Sequence, residues 1–189
     1  MNNFDSDIEH SLKILQNGGV ILYPTDTVWG LGCDATNEAA VEKIFEIKNR
    51  PANKSLVLLV ADERAILQYC ATVDLEVFNY LDNAIRPTTV IYDNAIGLAD
   101  NVMAEDGSVA IRICKEAFCK HLIKRFRKPL VSTSANLSGE PSPSLFNEVS
   151  KDIIQRVDYT VQYRQHEETI AVPSQIIRWV NGEAIFIRK

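Results

Sequence analysis

Three separated strings of this chain join hydroxyl, cationic or amide side chains to glycine or proline. They are Tyr23-Pro24-Thr25-Asp26-Thr27-Val28-Trp29-Gly30-Leu31-Gly32, Lys48-Asn49-Arg50-Pro51, and Ser132-Thr133-Ser134-Ala135-Asn136-Leu137-Ser138-Gly139. Apolar runs flank each one, so the polar groups emerge at the edge of a rigid core, where ligands are usually held. Lys48 and Arg50, with Lys54 four residues on, suit a triphosphate, because arginine grips oxygens in pairs and lysine adds a compact charge. In the extended geometry favoured before proline the first two can share one face. The plainer alternative is cations settling at the negative end of a helix dipole.

The hydroxyl-rich string Ser132–Gly139 is either a hydrogen-bonded turn network or a ligand cradle, and the density of its hydroxyls favours the cradle. Tyr23–Gly32 reads either as a tight strand-to-helix connection or as part of the same site, with Gly30 and Gly32 allowing close backbone approach. It is not a Walker loop, since GxxxxGK[ST] is absent. His121 and His166 lie in charged stretches and read as solvated. The chemistry implied is the handling of an anion by cations and hydroxyls.

The elements that must position these groups belong to ordinary globular composition: 189 residues, 46% hydrophobic, enough for one domain with a sizeable core. A net charge of −5 argues against a protein whose main task is coating nucleic acid or an anionic membrane. Cys33, Cys70, Cys114 and Cys119 show no CxxC spacing, which points to reduced thiols in the cytoplasm. No signal peptide and no spanning segment is legible.

Helices and strands alternate along the chain, which implies an α/β or α+β architecture. The pattern predicts a helix capped by Asp5 or Ser6 and ended by Gly18-Gly19, a strand over Val20–Tyr23, and a helix capped by Thr36 or Asn37 that carries Lys48 at its end. It continues with a strand at Leu56–Val60, helices at Glu63–Tyr69 and Asp74–Asp82, and strands at Thr88–Tyr92, Val109–Ile113 and Leu130–Ser132. Further helices are predicted over Glu116–Phe126 and Ser144–Gln155. An Asn181-Gly182 turn then joins strands Ser174–Val180 and Ala184–Arg188 in a hairpin. The basic run from Lys120 to Lys128 reads as a solvated helix face, the alternative being a footprint for an RNA backbone.

Taken together, the three strings are similar to those of the YrdC/YciO-like family. Its members carry Y-P-T-[ED]-T-x-x-G-L-G, K-x-R-P, and S-x-N continuing into S-G-x-P-S. Here these are Tyr23–Gly32, Lys48–Pro51, and Ser134-Ala135-Asn136 running to Ser138-Gly139-Glu140-Pro141-Ser142, in the same order and over nearly the whole chain. The resemblance implies a twisted, open mixed sheet with packed helices, a single domain over 1–189 without the C-terminal extension of some relatives. It also implies synthesis of L-threonylcarbamoyl-AMP from ATP, L-threonine and bicarbonate, with Mg2+ arriving on ATP. The product would pass to enzymes that modify tRNA beside the anticodon.

Carried over residue by residue, the resemblance makes Lys48 and Arg50 catalytic. It gives Arg50, Lys54, Thr89, Asn136, Ser144 and Arg188 to ATP, and Thr27, Ser134 and Ser174 to threonine, with Thr25, Arg112 and Ser132 in support. The chain departs from the family at Ile85-Arg86-Pro87-Thr88-Thr89, where P-G-P-x-T is usual, and at Arg112-Ile113-Cys114, where R-x-P is usual. It also carries Leu59 in place of a histidine and Gln175 in place of a threonine. Two other functions compete: a module binding tRNA, double-stranded RNA or the ribosome through the same groove, and a related enzyme with a different carboxylated amine or nucleotide.

Overall fold

Strand residues of this chain alternate between two cores. Ile21 and Tyr23 point into one and Leu22 into the other; Leu58 and Val60 oppose Leu59, and Leu130 opposes Val131. A sheet covered on both faces explains why these strands read as unbroken apolar runs. The structure, a computed structural model, describes residues 4–51 and 56–189.

The strands are β1 (Ile21–Tyr23), β2 (Gly30–Gly32), β3 (Val57–Val60), β4 (Thr88–Tyr92), β5 (Val109–Ile113), β6 (Leu130–Ser134), β7 (Tyr159–Thr160), β8 (Gln175–Val180) and β9 (Glu183–Arg188). They form one mixed sheet in the order β7-β1-β2-β6-β3-β5-β4-β8-β9. Helices α1 (Asp5–Gln16) and α5 (Ala117–Phe126) pack together on one face. The other face is covered by α2 (Glu38–Lys48), α3 (Glu63–Tyr69), α4 (Glu76–Asn83) and α6 (Lys151–Arg156). None of the described helices is long and apolar enough to cross a membrane.

Local chemistry accounts for most boundaries. Asn37, rather than Thr36, caps α2 by accepting the Ala40 N–H, and Glu116 caps α5 by accepting that of Cys119. On α5, Phe118, Leu122, Ile123 and Phe126 are buried while Lys124 and Arg125 face outward, the solvated face that the pattern predicts. Asn181 and Gly182 both take positive φ, as a two-residue hairpin turn requires.

Three expectations are corrected. Neither Asp5 nor Ser6 caps α1; Phe4 holds that position, and its burial against Phe118 replaces a side-chain cap. The single helix expected over Ser144–Gln155 is broken, because the Glu148 carboxylate takes the Ser144 and Leu145 N–H groups and Ser150 starts α6 afresh. Tyr23–Gly32 does not run into a helix: it turns back as β2, antiparallel to β1, with Leu22 opposite Leu31.

That hairpin depends on Gly32, where an added Cβ would lie 2.6 Å from Tyr23 Cε1 and 3.0 Å from the Val131 carbonyl. Backbone on one side and a buried ring on the other cannot both yield. Gly32→Ala is expected to lower stability by about 1–3 kcal/mol, read as a lower urea midpoint; an unchanged midpoint would show that β1 and β2 are less tightly apposed.

Candidate active site

The turn between β1 and β2 is shaped by Thr25. Its hydroxyl donates to the Val28 carbonyl at 2.8 Å and accepts the Thr27 N–H at 3.0 Å. With its one hydrogen spent there, it accepts from the Thr27 hydroxyl, 3.0 Å away. Thr27 Oγ1 in turn accepts from Arg112 Nη2 at 3.2 Å, and the same nitrogen pairs with Asp26 Oδ1 at 2.9 Å. A loop of two threonines and an aspartate thus becomes a fixed socket for one guanidinium. From outside, Arg164 donates to the Thr25 carbonyl and the Cys119 thiol to that of Pro24.

Helix α2 delivers the second set of groups. After Lys48 the chain reverses at Asn49, whose φ is 48°, and Arg50 N–H bonds back to Phe45 O. The reversal, not the extended chain expected before Pro51, decides where the cations go. Lys48 points inward, 1% exposed, and its ammonium donates to the Ser134 carbonyl and, at 2.6 Å, to that of Asn136. Ser138 N–H closes the arrangement on Lys48 O at 2.9 Å. Burial, and then the charge of Arg50, push the Lys48 ammonium down to about 8. Arg50 points instead to a cavity of about 260 Å³.

Around this cavity stand Thr25 and Thr27 from the hairpin turn, Arg50, Arg112 from β5, and Ser132, Thr133 and Ser134 from β6. Ser174 and Arg188, from the two ends of the C-terminal hairpin, complete it. Arg188 donates to the Ser174 carbonyl at 2.7 Å; burial and the nearby charge of Arg112 lower its guanidinium from the usual range. Three guanidiniums facing one hollow, with no carboxylate among its described lining residues, suit an anionic guest.

Not every residue singled out in the sequence reaches the cavity wall. Lys48 is turned onto backbone carbonyls. Asn136 spends its amide on the Leu137 and Glu140 carbonyls. Thr89 is fully buried and bonds Ser174 Oγ at 2.8 Å, and Ser144 donates to the Ala171 carbonyl at 2.8 Å. Lys54 lies outside the described residues. Among the departures, Leu59 stands opposite Arg112 in register but is buried in the core beneath α1 and α5, and Gln175 donates to Thr88 Oγ1 at 2.7 Å. Ile85 is fully exposed.

Sequence reasoning missed Thr133 and Ser142 in the wall and the grip of Arg164 on Thr25. The first two lie inside or beside strings already singled out. Arg164 is 139 residues from its partner and carries no local signal.

The structure is that of an α/β protein whose mixed sheet carries one hollow walled by guanidiniums and hydroxyls. The Sua5_yciO_yrdC family model, described as Telomere recombination, matches residues 13–189. The chain belongs to that family. A relative from Pseudoalteromonas translucida, named threonylcarbamoyl-AMP synthase, is 34% identical over 94% of this chain and 96% of its own length. One from Methanocaldococcus jannaschii, named putative threonylcarbamoyl-AMP synthase, is 33% identical over 96% of this chain and 84% of its own.

Among solved structures, a doubly substituted P. abyssi Sua5 superposes with a TM-score of 0.88 at 26% identity, covering 97% of this chain and 56% of that one. P. abyssi Sua5 complexed with L-threonine gives 0.85 at 23% identity over 97% and 54%, and E. coli YciO 0.83 at 22% over 97% and 89%. The last two likenesses bear on the fold alone. This chain spans about half the length of the two Sua5 chains.

Lys48→Met should take the ammonium donor from the Asn136 carbonyl and leave that of Ser134 with the Asn136 N–H alone, costing about 1–3 kcal/mol, measured by urea denaturation. The unfolded chain holds the Lys48 proton up to about 10.5, whereas the folded chain releases it near 8. Raising pH through that window therefore favours the folded wild type, and its stability advantage over Lys48→Met should widen between pH 8 and 10.5. A constant difference across the window would remove Lys48 from the pH dependence.

Proposed function

We propose that this chain is a nucleotidyltransferase making L-threonylcarbamoyl-AMP and pyrophosphate from ATP, L-threonine and bicarbonate. The observation that carries this reading is the single hollow into which Arg50, Arg112 and Arg188 converge with hydroxyls from distant segments. The near full-length relatives named threonylcarbamoyl-AMP synthase support it.

In this reading the threonine amine and bicarbonate give an N-carboxylated threonine with loss of water. One oxygen of the new carboxylate attacks the α-phosphorus of ATP, the bond to the bridging oxygen breaks, and pyrophosphate leaves. Displacement at phosphorus asks mainly for alignment and charge neutralisation. Cations and hydroxyls can supply both without a covalent nucleophile. Thr27, Ser134 and Ser174 hold the amino acid, with Arg112 fixed by Asp26 and Thr27 beside it. Arg50 and Arg188 face the phosphates, joined by Lys54.

The remaining residues act at one remove. Thr89 presents Ser174, Thr25 shapes the turn that carries Thr27, and Lys48 with Asn136 shapes the loop after Ser134. Ser132 adds a hydroxyl to the wall. Ser144 tethers residue 171 on the way to Pro173 and Ser174, an indirect part in ATP binding. Magnesium enters as the counter-ion of ATP, and the wall hydroxyls are hard oxygen donors compatible with its hydration shell. The mixed anhydride is then consumed by tRNA-modifying enzymes in the cytoplasm.

The test is to incubate the protein with ATP, bicarbonate and each amino acid in turn, and to measure pyrophosphate release. Release confined to threonine is expected. Release with another amine would move the assignment to a different substrate, and none at all, with RNA bound instead, would favour the RNA-binding module. Arg50→Ala should cut turnover by about 10²-fold or more while unfolding stays cooperative; full turnover would reject the role of Arg50. Ser134→Ala should raise the KM for threonine more than that for ATP, and equal effects in kinetics would count against its assignment.

A further inference from the structure

The segment after β7 forms a platform beside the turn that joins β1 and β2. Asp7 of α1, itself buried, accepts the Gln162 and Tyr163 N–H groups on separate oxygens, at 3.0 and 2.9 Å. The Tyr163 ring packs against those of Phe4 and Phe118. Arg164 follows with a φ of 66°, in the left-handed region that few non-glycine residues occupy. Two carboxylates hold its guanidinium: Nε donates to Glu167 Oε2, and Nη1 lies 3.7 Å from Glu116 Oε1. Glu116 is fixed in turn, because its other oxygen caps α5 by accepting the Cys119 N–H. So oriented, Nη1 donates to the Thr25 carbonyl at 2.9 Å, a charge-assisted bond. Thr25 is buried, and among the described residues no other donor reaches this carbonyl.

We infer that Arg164 is a positioning residue for the amino-acid side of the site, an inference that rests on the roles proposed above for Thr27 and Arg112. The Thr25 carbonyl belongs to the planar peptide that leads into Asp26, so its bond to Arg164 fixes the plane from which Asp26 and Thr27 depart. The other ties of this turn are inward. Thr25 Oγ1 bonds the Thr27 N–H and hydroxyl, and Asp26 and Thr27 bond Arg112. These join the turn to itself and to β5. Arg164 joins it to the platform held by α1 and to the cap of α5. With both sides fixed, Thr27 Oγ1 and the Arg112 guanidinium keep one spacing. An amino acid seated on that pair therefore depends on a guanidinium that is not among the residues lining the cavity. Misplacement of about 1 Å can cost on the order of 10²-fold in rate. Arg50 and Arg188 reach the hollow from α2 and β9 without this tether, so the nucleotide side should be spared.

Arg164→Met keeps the aliphatic stem and removes the donors. In pyrophosphate release its KM for threonine should rise about tenfold while that for ATP stays within about twofold of wild type. Arg164→Lys, which keeps a cationic donor, should recover part of the loss. Amide exchange reads the turn without any reaction. In Arg164→Met the Thr27 N–H should lose protection about tenfold, while the Val131 and Ala35 amides, bonded to Cys33 and Pro129, keep theirs. If the Met variant folds poorly, Glu167→Ala, which frees Nε, should move both readings in the same direction. A wild type that releases no pyrophosphate with threonine would reject the proposed reaction and leave exchange alone to judge Arg164. A KM for threonine that does not move, equal rises in both KM values, a uniform loss of protection or an unmoved Thr27 amide would each overturn the role of Arg164.

Discussion

One buried ammonium ties the two halves of the site together. Lys48 ends α2, and its Nζ fills the gap between two carbonyls that follow β6, those of Ser134 and Asn136. Carbonyls at a strand end, turned inward, need a donor, and in a water-poor interior each one unsatisfied costs on the order of 1–3 kcal/mol. A lysine with three donors on a flexible stem can serve both. The cost is desolvation, visible in the lowered Lys48 ammonium. The gain is placement: the loop carrying Ser134 is fixed to α2, and the chain reversal at Asn49 then turns Arg50 to the cavity. Helix end, loop and cavity wall are therefore one arrangement.

The fold was largely legible because hydrophobic period and turn chemistry act over short distances. β4, β5 and α3 run between the residues that the sequence predicts, and the Asn181-Gly182 hairpin forms as its dipeptide requires. What was not legible depends on partners far along the chain. β2 is Gly-Leu-Gly, with no strand propensity of its own. It becomes a strand because β1 and β6 flank it and because the absence of a Cβ at Gly30 and Gly32 lets Thr133 O and the Tyr23 ring approach. The break after Ser144 likewise comes from one side chain, Glu148, capturing two backbone donors that a continuous helix would have left open.

The site was legible as three strings but not as a division of labour among their residues. Hydroxyl and cation content identified which segments meet, and they do meet. Composition could not say whether a given polar group faces the guest or the protein. Lys48, Thr89, Asn136 and Ser144 all turn toward protein atoms, whereas Thr133 and Ser142, members of the same strings to which no individual role had been given, line the wall. A short polar side chain has both options within a rotamer or two, and the choice is made by neighbours from other segments.

The charge balance of the hollow follows from the same placement. The chain as a whole carries a net charge of −5, yet the described wall presents three guanidiniums. Asp26, 12% exposed, pairs with Arg112 from outside the cavity lining. The Arg112–Asp26 pair orients that guanidinium and offsets the repulsion between Arg112 and Arg188. On a chain of net charge −5, three guanidiniums in one hollow make the positive charge there a local feature, unlike the wide basic surface of a polyanion-coating protein.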